Sequence, residues 1–300
     1  RKRRVFFNIF ISMDFDLNIK HLGNTLYKRV VNKDMSWVPA DSKNLFLYNL
    51  KGDTHKKDLL AYKKNPIQYK FNNYGFRSPI DFSKGMNGNV FLGCSYTFGI
   101  GHYLENTWGW MVNEKIGGNF FNFGIGGAGI GTAARLLYAY KDELKYDNVF
   151  LHIPHPYRYE YYHPIAEKYS TLSPSFKELP DQKNIITDEV RMILAADNNM
   201  LSYYKSNLAW IEKTCEEQNA RLIIVKDIDY GERYNIWKQW SEKRENRNKI
   251  EVARDLGHPG VSYMEEYANR VIDAYNDPNY ANFTNPNKNV APKIFKRELI

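Results

Sequence analysis

The chain has 300 residues, 43% of them hydrophobic and 15% aromatic, a composition typical of a folded globular protein and not of a disordered one. The net charge is +8, but residues 1–4 carry half of the excess, and the other basic residues are scattered. This scatter argues against a nucleic-acid groove, and no apolar run approaches the roughly 20 residues that span a bilayer. The two cysteines, Cys94 and Cys215, argue against a disulfide framework and are typical of cytoplasmic proteins. We therefore expect neither a nucleic-acid nor a membrane partner.

The two ends of the chain differ in composition from the rest. Residues 1–12 join a basic cluster to a short apolar run that Asn8 interrupts, and no small-residue cleavage site follows. We expect an upstream extension before Met13, or a processed chain end, rather than a secretion signal. Residues 277–300 are rich in Asn and Pro and then basic, which is typical of a tail or a docking segment. Both segments are candidates for contacts within an oligomer or a virion.

The region before residue 89 has no strong periodicity. We interpret residues 1–88 as an N-terminal extension whose later part forms a cap on the edge of a sheet, and the alternative is that it contributes to the substrate cleft. Apolar residues over 44–50 allow a short strand, and residues 67–71 predict another.

From Asn89 onward, strand and helix patterns alternate, which is typical of a parallel sheet. The pattern predicts strands at 89–92, 120–125, 149–153 and 220–226. It predicts helices at 107–116, at 232–253 and at 264–275. A further helix follows the glycine loop 126–131, with Thr132 as its cap, and another begins at 188 and is interrupted near 197–199. Residues 164–186 are predicted to be a loop insertion. The prediction is a three-layer α/β/α domain over residues 89–276, with a central and mostly parallel sheet.

A candidate nucleophile, Ser95, follows the first of these strands. In open α/β sheets the functional crevice lies at the carboxyl ends of the strands. A serine hydroxyl needs a base, and His258 is the candidate because imidazoles as a class titrate near neutrality, while Asp255 can orient the ring. The sequence therefore predicts a triad of Ser95, His258 and Asp255, with the serine Oγ within hydrogen-bond reach of the histidine. Cys94 is an alternative nucleophile, but nothing in the sequence near it obviously lowers its pKa.

Three blocks of sequence resemble the SGNH (GDSL-type) hydrolase family, over roughly residues 89–275. They are Gly93–Gly99 for Gly-Asp-Ser-x-x-x-Gly, with Cys94 in place of Asp; Asn122–Gly127 for the Asn-x-Gly block; and Asp255–His258 for Asp-x-x-His. The Gly-Cys-Ser form of the first block resembles variants from marine bacteria and tailed phages. The resemblance implies a flavodoxin-like fold and a serine esterase without a cofactor. It also implies that the backbone N–H groups of Ser95 and Gly127 donate to an oxyanion.

The chain departs from the family at the third block, which supplies an oxyanion-binding Asn. No Asn lies between Val149 and Ser170, where the chain instead has Pro154-His155-Pro156 followed by Arg158. Arg158 or His155 can supply the donor, and a permanently charged Arg158 would favour acidic substrates such as acylated uronic or sialic-type sugars. The alternative is that Arg158 pairs with Glu160 or another acid within aromatic packing.

Other ligand-binding patterns are weak. The glycine loop lacks the order and the context of nucleotide-binding motifs, and the spacing of His152, His155 and His163 matches no standard metal site. We therefore expect neither a cofactor nor a metal.

The resulting hypothesis is a serine esterase that removes an acyl group, in particular an O-acetyl group, from a carbohydrate. Aromatic residues over 157–162 and 237–240 offer surfaces on which sugar rings can stack. The alternative is a non-catalytic binding or structural module on the same fold, for example a virion component, with catalysis lost together with the Asn.

Overall fold

The computed structural model describes residues 30–53, 55–163, 168–172, 192–194, 196–225, 251–278 and 280. Its helices are α1 Lys43–Leu50, α2 Lys56–Lys64, α3 Ser95–Phe98, α4 Trp108–Ile116, α5 Ile130–Tyr140, α6 Asp197–Gln218 and α7 Val261–Asn276. Its strands are β1 Asp34–Met35, β2 Tyr69–Lys70, β3 Asn87–Leu92, β4 Phe120–Asn122, β5 Lys145–His152, β6 Tyr159–His163, β7 Lys168–Leu172 and β8 Arg221–Val225.

The central sheet has four parallel strands in the order β4-β3-β5-β8. Successive side chains of a strand point to opposite faces, so both faces must be covered when every position is apolar. Val90 and Leu92 of β3 pack in the cluster that includes α5 and α6, whereas Phe91 packs against Trp108 of α4 and the buried face of α7. The predicted three-layer α/β/α fold is therefore confirmed.

Two small antiparallel pairs lie outside this sheet. β1 pairs with β2 in the N-terminal region, and β6 pairs with β7 in a hairpin that follows β5. Phe76 and Phe82 belong to the main core cluster with Phe121 and Phe123 of the β4 region. The later part of the predicted cap is thus packed directly into the core of the sheet domain.

Some predicted elements are wrong in type or extent. Residues 44–50 form helix α1 and not a strand, because the hydroxyl of Ser42 caps its first turn by accepting from Leu45 N. Thr132 does not cap α5, since that helix begins at Ile130 after Gly129. β7 lies inside the segment predicted as a loop insertion, and β5 begins four residues before its predicted start at Val149. The charged helix predicted at 232–253 lies largely outside the described residues.

The turn after β3 predicts a specific glycine requirement. Gly93 has φ +153°, and a Cβ there would lie 2.2 Å from Thr97 Oγ1 and 3.0 Å from His152 O. Gly93→Ala should therefore lower the free energy of unfolding by about 2 kcal/mol or more, measured by urea denaturation. Gly52→Ala is the control, since a Cβ at Gly52 would meet only Asn49 O at 3.4 Å. Equal stability of the two variants would contradict this account of the turn.

Candidate active site

Ser95 lies at the carboxyl edge of the central sheet. β3 ends at Leu92, and Gly93 and Cys94 then lead into α3, whose first residue is Ser95. The Ser95 residue is only 6% exposed. The sequence places the candidate nucleophile where a parallel sheet presents its functional groups.

Asp255 and His258 form a close and well-defined pair in the loop before α7. His258 Nδ1 lies 2.6 Å from Asp255 Oδ2, while Asp255 Oδ1 accepts from the backbone N–H groups of Gly257 and His258, each at 3.2 Å. An ionised carboxylate only accepts hydrogen bonds, so Nδ1 carries the proton and Nε2 keeps a free lone pair. The pair thus holds the imidazole in the tautomer that a general base requires.

The backbone between these two residues is unusual. Leu256 has φ +57°, in the left-handed region that non-glycine residues rarely adopt. This conformation turns the chain back so that the Asp255 carboxylate reaches two backbone donors and the imidazole. Local strain of this kind persists only where the surrounding structure enforces it, and it is concentrated at functional sites.

The Asp255–His258 loop lies against the loop that carries Ser95. The His258 ring is 5.5 Å from the ring of Tyr96, the residue after Ser95, in an edge-on arrangement. Gly101 O accepts a hydrogen bond from Arg254 N at 3.1 Å, which joins the two loops a second time. The residues of the predicted triad therefore come from adjoining loops.

The expected hydrogen bond between Ser95 Oγ and His258 is not formed within the described part of the chain. Ser95 Oγ instead donates to Cys94 Sγ at 3.9 Å. The hydroxyl thus points toward the neighbouring thiol in this conformation.

The environment of Cys94 is a feature that the sequence did not reveal. Burial alone would raise the pKa of the thiol, but the neighbouring His152 ring and the positive charge of Arg158 outweigh burial and lower the pKa to about 6. His152 is the last residue of β5, beside β3, and its ring stacks on Tyr96 at 5.4 Å. The interpretation that nothing nearby lowers this pKa is wrong, because the partners come from the end of another strand.

Arg158 lies over the glycine loop, and its charge acts on Cys94. Its Nη1 donates to Ala128 O at 3.3 Å, next to the exposed Gly127. Glu160, the acid proposed as its alternative partner, instead forms two hydrogen bonds with Arg135, at 2.7 and 2.8 Å. Arg158 makes no ion pair with any residue in the described ranges, so its charge is available at this edge of the sheet.

His155 remains neutral at physiological pH. Burial, reinforced by the positive charge of Arg158, lowers its pKa to about 4. Its Nδ1 accepts from Tyr157 N at 3.3 Å, which leaves the proton on Nε2. His155 is therefore a neutral donor beside a permanent cation.

Other kinds of site are not evident at this edge. Within the described ranges, no three His, Cys, Asp or Glu side chains are grouped as a metal site would require, and no helix is long and apolar enough to cross a membrane. A cavity of about 910 Å³, lined in part by Asn87, Lys145 and Asn219, lies at the opposite edge of the sheet, where the strands begin. The side chain of His163 and residues 237–240 fall outside what the structure describes.

Comparison with models of known protein families gives no match for this chain, and comparison with curated proteins gives none either.

The lowered pKa of Cys94 predicts a pH-dependent contribution to stability. The folded thiol titrates near pH 6 and the unfolded thiol near its ordinary value of 9.0, so the unfolded chain binds more protons between these values. The contribution is complete above about pH 9 and is lost as the pH falls through 6. Thiolate absorbance in the ultraviolet should titrate near pH 6 in the native protein and disappear in Cys94→Ala. Cys215 is an internal control, because burial raises its pKa to about 12. A native titration near pH 9 would contradict the proposed pairing.

Proposed function

We propose that the protein is a serine esterase of the SGNH type, with Ser95 as nucleophile, His258 as general base and Asp255 as the residue that orients it. The observation that carries the proposal is the 2.6 Å contact between His258 Nδ1 and Asp255 Oδ2 in a loop packed against the Ser95 loop. Further support comes from the order of the three blocks along the chain and from the position of Ser95 at the carboxyl edge of a three-layer sheet.

In the proposed reaction, Ser95 Oγ turns from Cys94 toward the Nε2 lone pair of His258. His258 accepts the hydroxyl proton as Oγ attacks the ester carbonyl, and it then returns that proton to the departing alcohol. A water molecule, deprotonated by His258, attacks the acyl-enzyme and releases the acid. Asp255 accepts from His258 Nδ1 and stabilises the imidazolium that forms in both halves of the reaction.

The negative charge that develops on the carbonyl oxygen needs donors. The backbone N–H groups of Ser95 and Gly127 are the proposed donors, and Arg158 or His155 replaces the Asn of the family. Of these two side chains, Arg158 is the better candidate, since its charge already reaches Cys94 and it has no acidic partner in the described ranges. A single donor of this kind typically contributes 10²–10³ in rate.

The proposed substrate is an acetyl ester on an anionic carbohydrate. Its anionic character is supported by the charge of Arg158, which has no acidic partner in the described ranges. The support for a sugar comes from one residue of this segment. Tyr157 and Tyr161 pack in the cluster around Tyr159, while Tyr162 is 45% exposed and its ring also contacts that of Tyr169 at 5.3 Å.

One observation favours a second candidate, a non-catalytic binding or structural module. Ser95 Oγ donates to Cys94 Sγ and not to His258, and the family's Asn is missing. A protein that had lost catalysis could retain this edge of the sheet as a ligand-binding surface.

The triad predicts a graded response to substitution. Ser95→Ala should remove hydrolysis of a short-chain acetyl ester, with a fall of at least about 10³ in kcat, because no other hydroxyl takes its place. Asp255→Asn should cost less, about 10² or more, because Ser95 and the oxyanion donors remain. Steady-state kinetics of the purified variants, with circular dichroism to verify folding, measure both effects.

Cys94→Ala separates the serine from its neighbouring thiol. It should keep a large fraction of kcat if Ser95 is the nucleophile. Loss of activity in Cys94→Ala together with an active Ser95→Ala would move the chemistry to the thiol. A wild-type protein that hydrolyses no acetyl ester and is not labelled at Ser95 by a fluorophosphonate would favour the binding module.

The charge of Arg158 leads us to expect that anionic substrates are preferred over neutral ones. Arg158→Ala should lower kcat/KM about 10-fold or more further for an anionic acetyl ester than for a neutral one of similar size, because only the anion gains from the charge. Arg158→Lys is the matched control, since it keeps the charge and loses the planar donor fork. Wild-type rates on both esters in Arg158→Ala would exclude Arg158 from the site.

A further inference from the structure

The N-terminal region is joined to the Asp255 loop by a buried ion pair. Arg254 Nε lies 3.1 and 3.0 Å from the two carboxylate oxygens of Asp41, and its Nη2 lies 2.5 Å from Asp41 Oδ2. Both side chains are 1% exposed, and Nη2 also donates to Ser36 O at 2.7 Å. The Arg254 guanidinium lies 4.1 Å from the ring centroid of Trp37. The residue immediately before Asp255 is thus fixed by residues more than 200 positions away in the sequence.

Tyr69 extends this contact to residues 93–102, which include α3 and the turn after it and which we call the serine loop. Its hydroxyl donates to Asp41 Oδ2 at 2.5 Å and accepts from Gly101 N at 2.8 Å. Burial raises the pKa of Tyr69, with the Asp41 charge as the next cause, so this hydroxyl keeps its proton and remains a donor to the carboxylate. One oxygen atom therefore connects the ion pair to the loop that follows α3.

The two loops also meet directly at Gly101. Its backbone has φ +76°, and a Cβ there would lie 2.8 Å from Ala253 Cβ, 3.0 Å from Arg254 N and 3.2 Å from Asp255 Oδ1. The absence of a side chain is what allows the Asp255 carboxylate to approach the serine loop this closely.

A second arginine holds the serine loop itself. Arg77 Nη1 donates to Phe98 O at 2.9 Å and to Gly99 O at 2.6 Å, and its Nη2 donates to His102 O at 2.8 Å. Its guanidinium lies 4.6 Å from the ring centroid of Tyr69. The backbone that leaves α3 is therefore fixed by a side chain of the N-terminal region.

His102 holds the Asp255–His258 loop at its C-terminal end. Its Nε2 lies 2.8 Å from Pro259 O and must carry the proton, because a carbonyl oxygen only accepts. Burial, together with nearby positive charges, lowers the pKa of His102 to about 4, so it stays neutral. Pro259 directly follows His258, so this bond holds the loop at its far end.

We propose that Asp41, Tyr69, Arg77 and Arg254 form a clamp through which the N-terminal region sets the distance and orientation of the Asp255–His258 loop relative to Ser95. The inference rests on the proposed function. These four are positioning residues and contact no reacting atom. The region predicted as a cap thus positions the two loops that carry the candidate catalytic residues.

The geometry favours a positioning role over a purely stabilising one. A buried ion pair is weak evidence for stability, because desolvation of both charges offsets their attraction. Arg254 is bonded covalently to Asp255, and Tyr69 and Arg77 reach the loop that follows Ser95. A hydrophobic replacement could preserve the fold, but it could not reproduce the hydrogen bonds that orient both loops.

The test replaces the ion pair without leaving a buried charge. Asp41→Leu/Arg254→Met should fold, and its kcat for an acetyl ester should fall about 10²-fold with KM unchanged, since a shift of about 1 Å costs this much. The Nδ1 proton between His258 and Asp255 should give a far-downfield NMR signal in the wild type. That signal should shift or broaden by exchange in the double variant. Ile211→Ala, in the core on the far side of the sheet, is the control for stability loss alone.

A gentler variant covers the case in which the double variant does not fold. Tyr69→Phe removes only the bridging oxygen and should lower kcat about 10-fold and disturb the same NMR signal, while Arg254→Lys should fall between it and the wild type. Wild-type kcat and an unchanged NMR signal in folded Tyr69→Phe, or in the folded double variant, would overturn the clamp. Loss of kcat in Ile211→Ala equal to that in the clamp variants would also overturn it.

The proposed function fails in a different way. It fails if the wild type neither hydrolyses acetyl esters nor is labelled at Ser95. The NMR signal of the Asp255–His258 pair would still report whether the clamp orients that loop.

Discussion

The geometry of the candidate site depends on the ion pair between Arg254 and Asp41. Both groups are removed from water, so the pair persists only because each partner finds several further contacts: Ser36 O and the Trp37 ring for Arg254, and the Tyr69 hydroxyl for Asp41. Arg254 N in turn donates to Gly101 O. The same few atoms therefore hold most of the buried charge and fix two loops against each other, while Arg254 Nη1 has no hydrogen-bond partner among the described residues. The left-handed Leu256 lies within the loop held in this way, and its N–H donates to Ala253 O at 2.9 Å.

This arrangement divides the work between two parts of the chain. The parallel sheet supplies the edge at which β3 and β5 end, and so it brings Ser95, Cys94 and His152 together. The sheet does not fix the Asp255–His258 loop, which precedes α7 and pairs with no strand of the central sheet. The N-terminal region provides that constraint. Loss of the hydrogen bonds that Asp41, Tyr69 and Arg254 make would leave the two loops without this common support.

The three layers and the positions of the parallel strands along the chain could be predicted from the sequence, because buried parallel strands and amphipathic helices have strong local patterns. The pairing of Asp255 with His258 could also be predicted, because its partners are three residues apart. The roles of Asp41, Tyr69 and Arg254 could not, since charge and aromatic pairing across 213 positions has no local signature. The partners of Cys94 were missed for the same reason: His152 reaches it only because β5 is next to β3 and ends beside it. Residues 44–50 were predicted as a strand because their apolar side chains nearly alternate, but they form helix α1, whose first turn is capped by Ser42.

Cys94 follows β3 and lies near His152, the last residue of β5, so it links groups at the ends of these two strands. The family that the chain resembles has an Asp there, and an acid and a thiolate are both acceptors, so the change preserves an anionic acceptor at the start of α3. In this chain His152 and Arg158 are what keep the thiol ionised against its burial. Arg158 would thus have two partners, the Cys94 sulfur in the resting protein and the substrate anion in the reaction. Glu160 pairs with Arg135 and not with Arg158. Under the proposed function Arg158 takes the place of the missing Asn, and the same arginine lowers the pKa of Cys94, which stands where the family that the chain resembles has Asp.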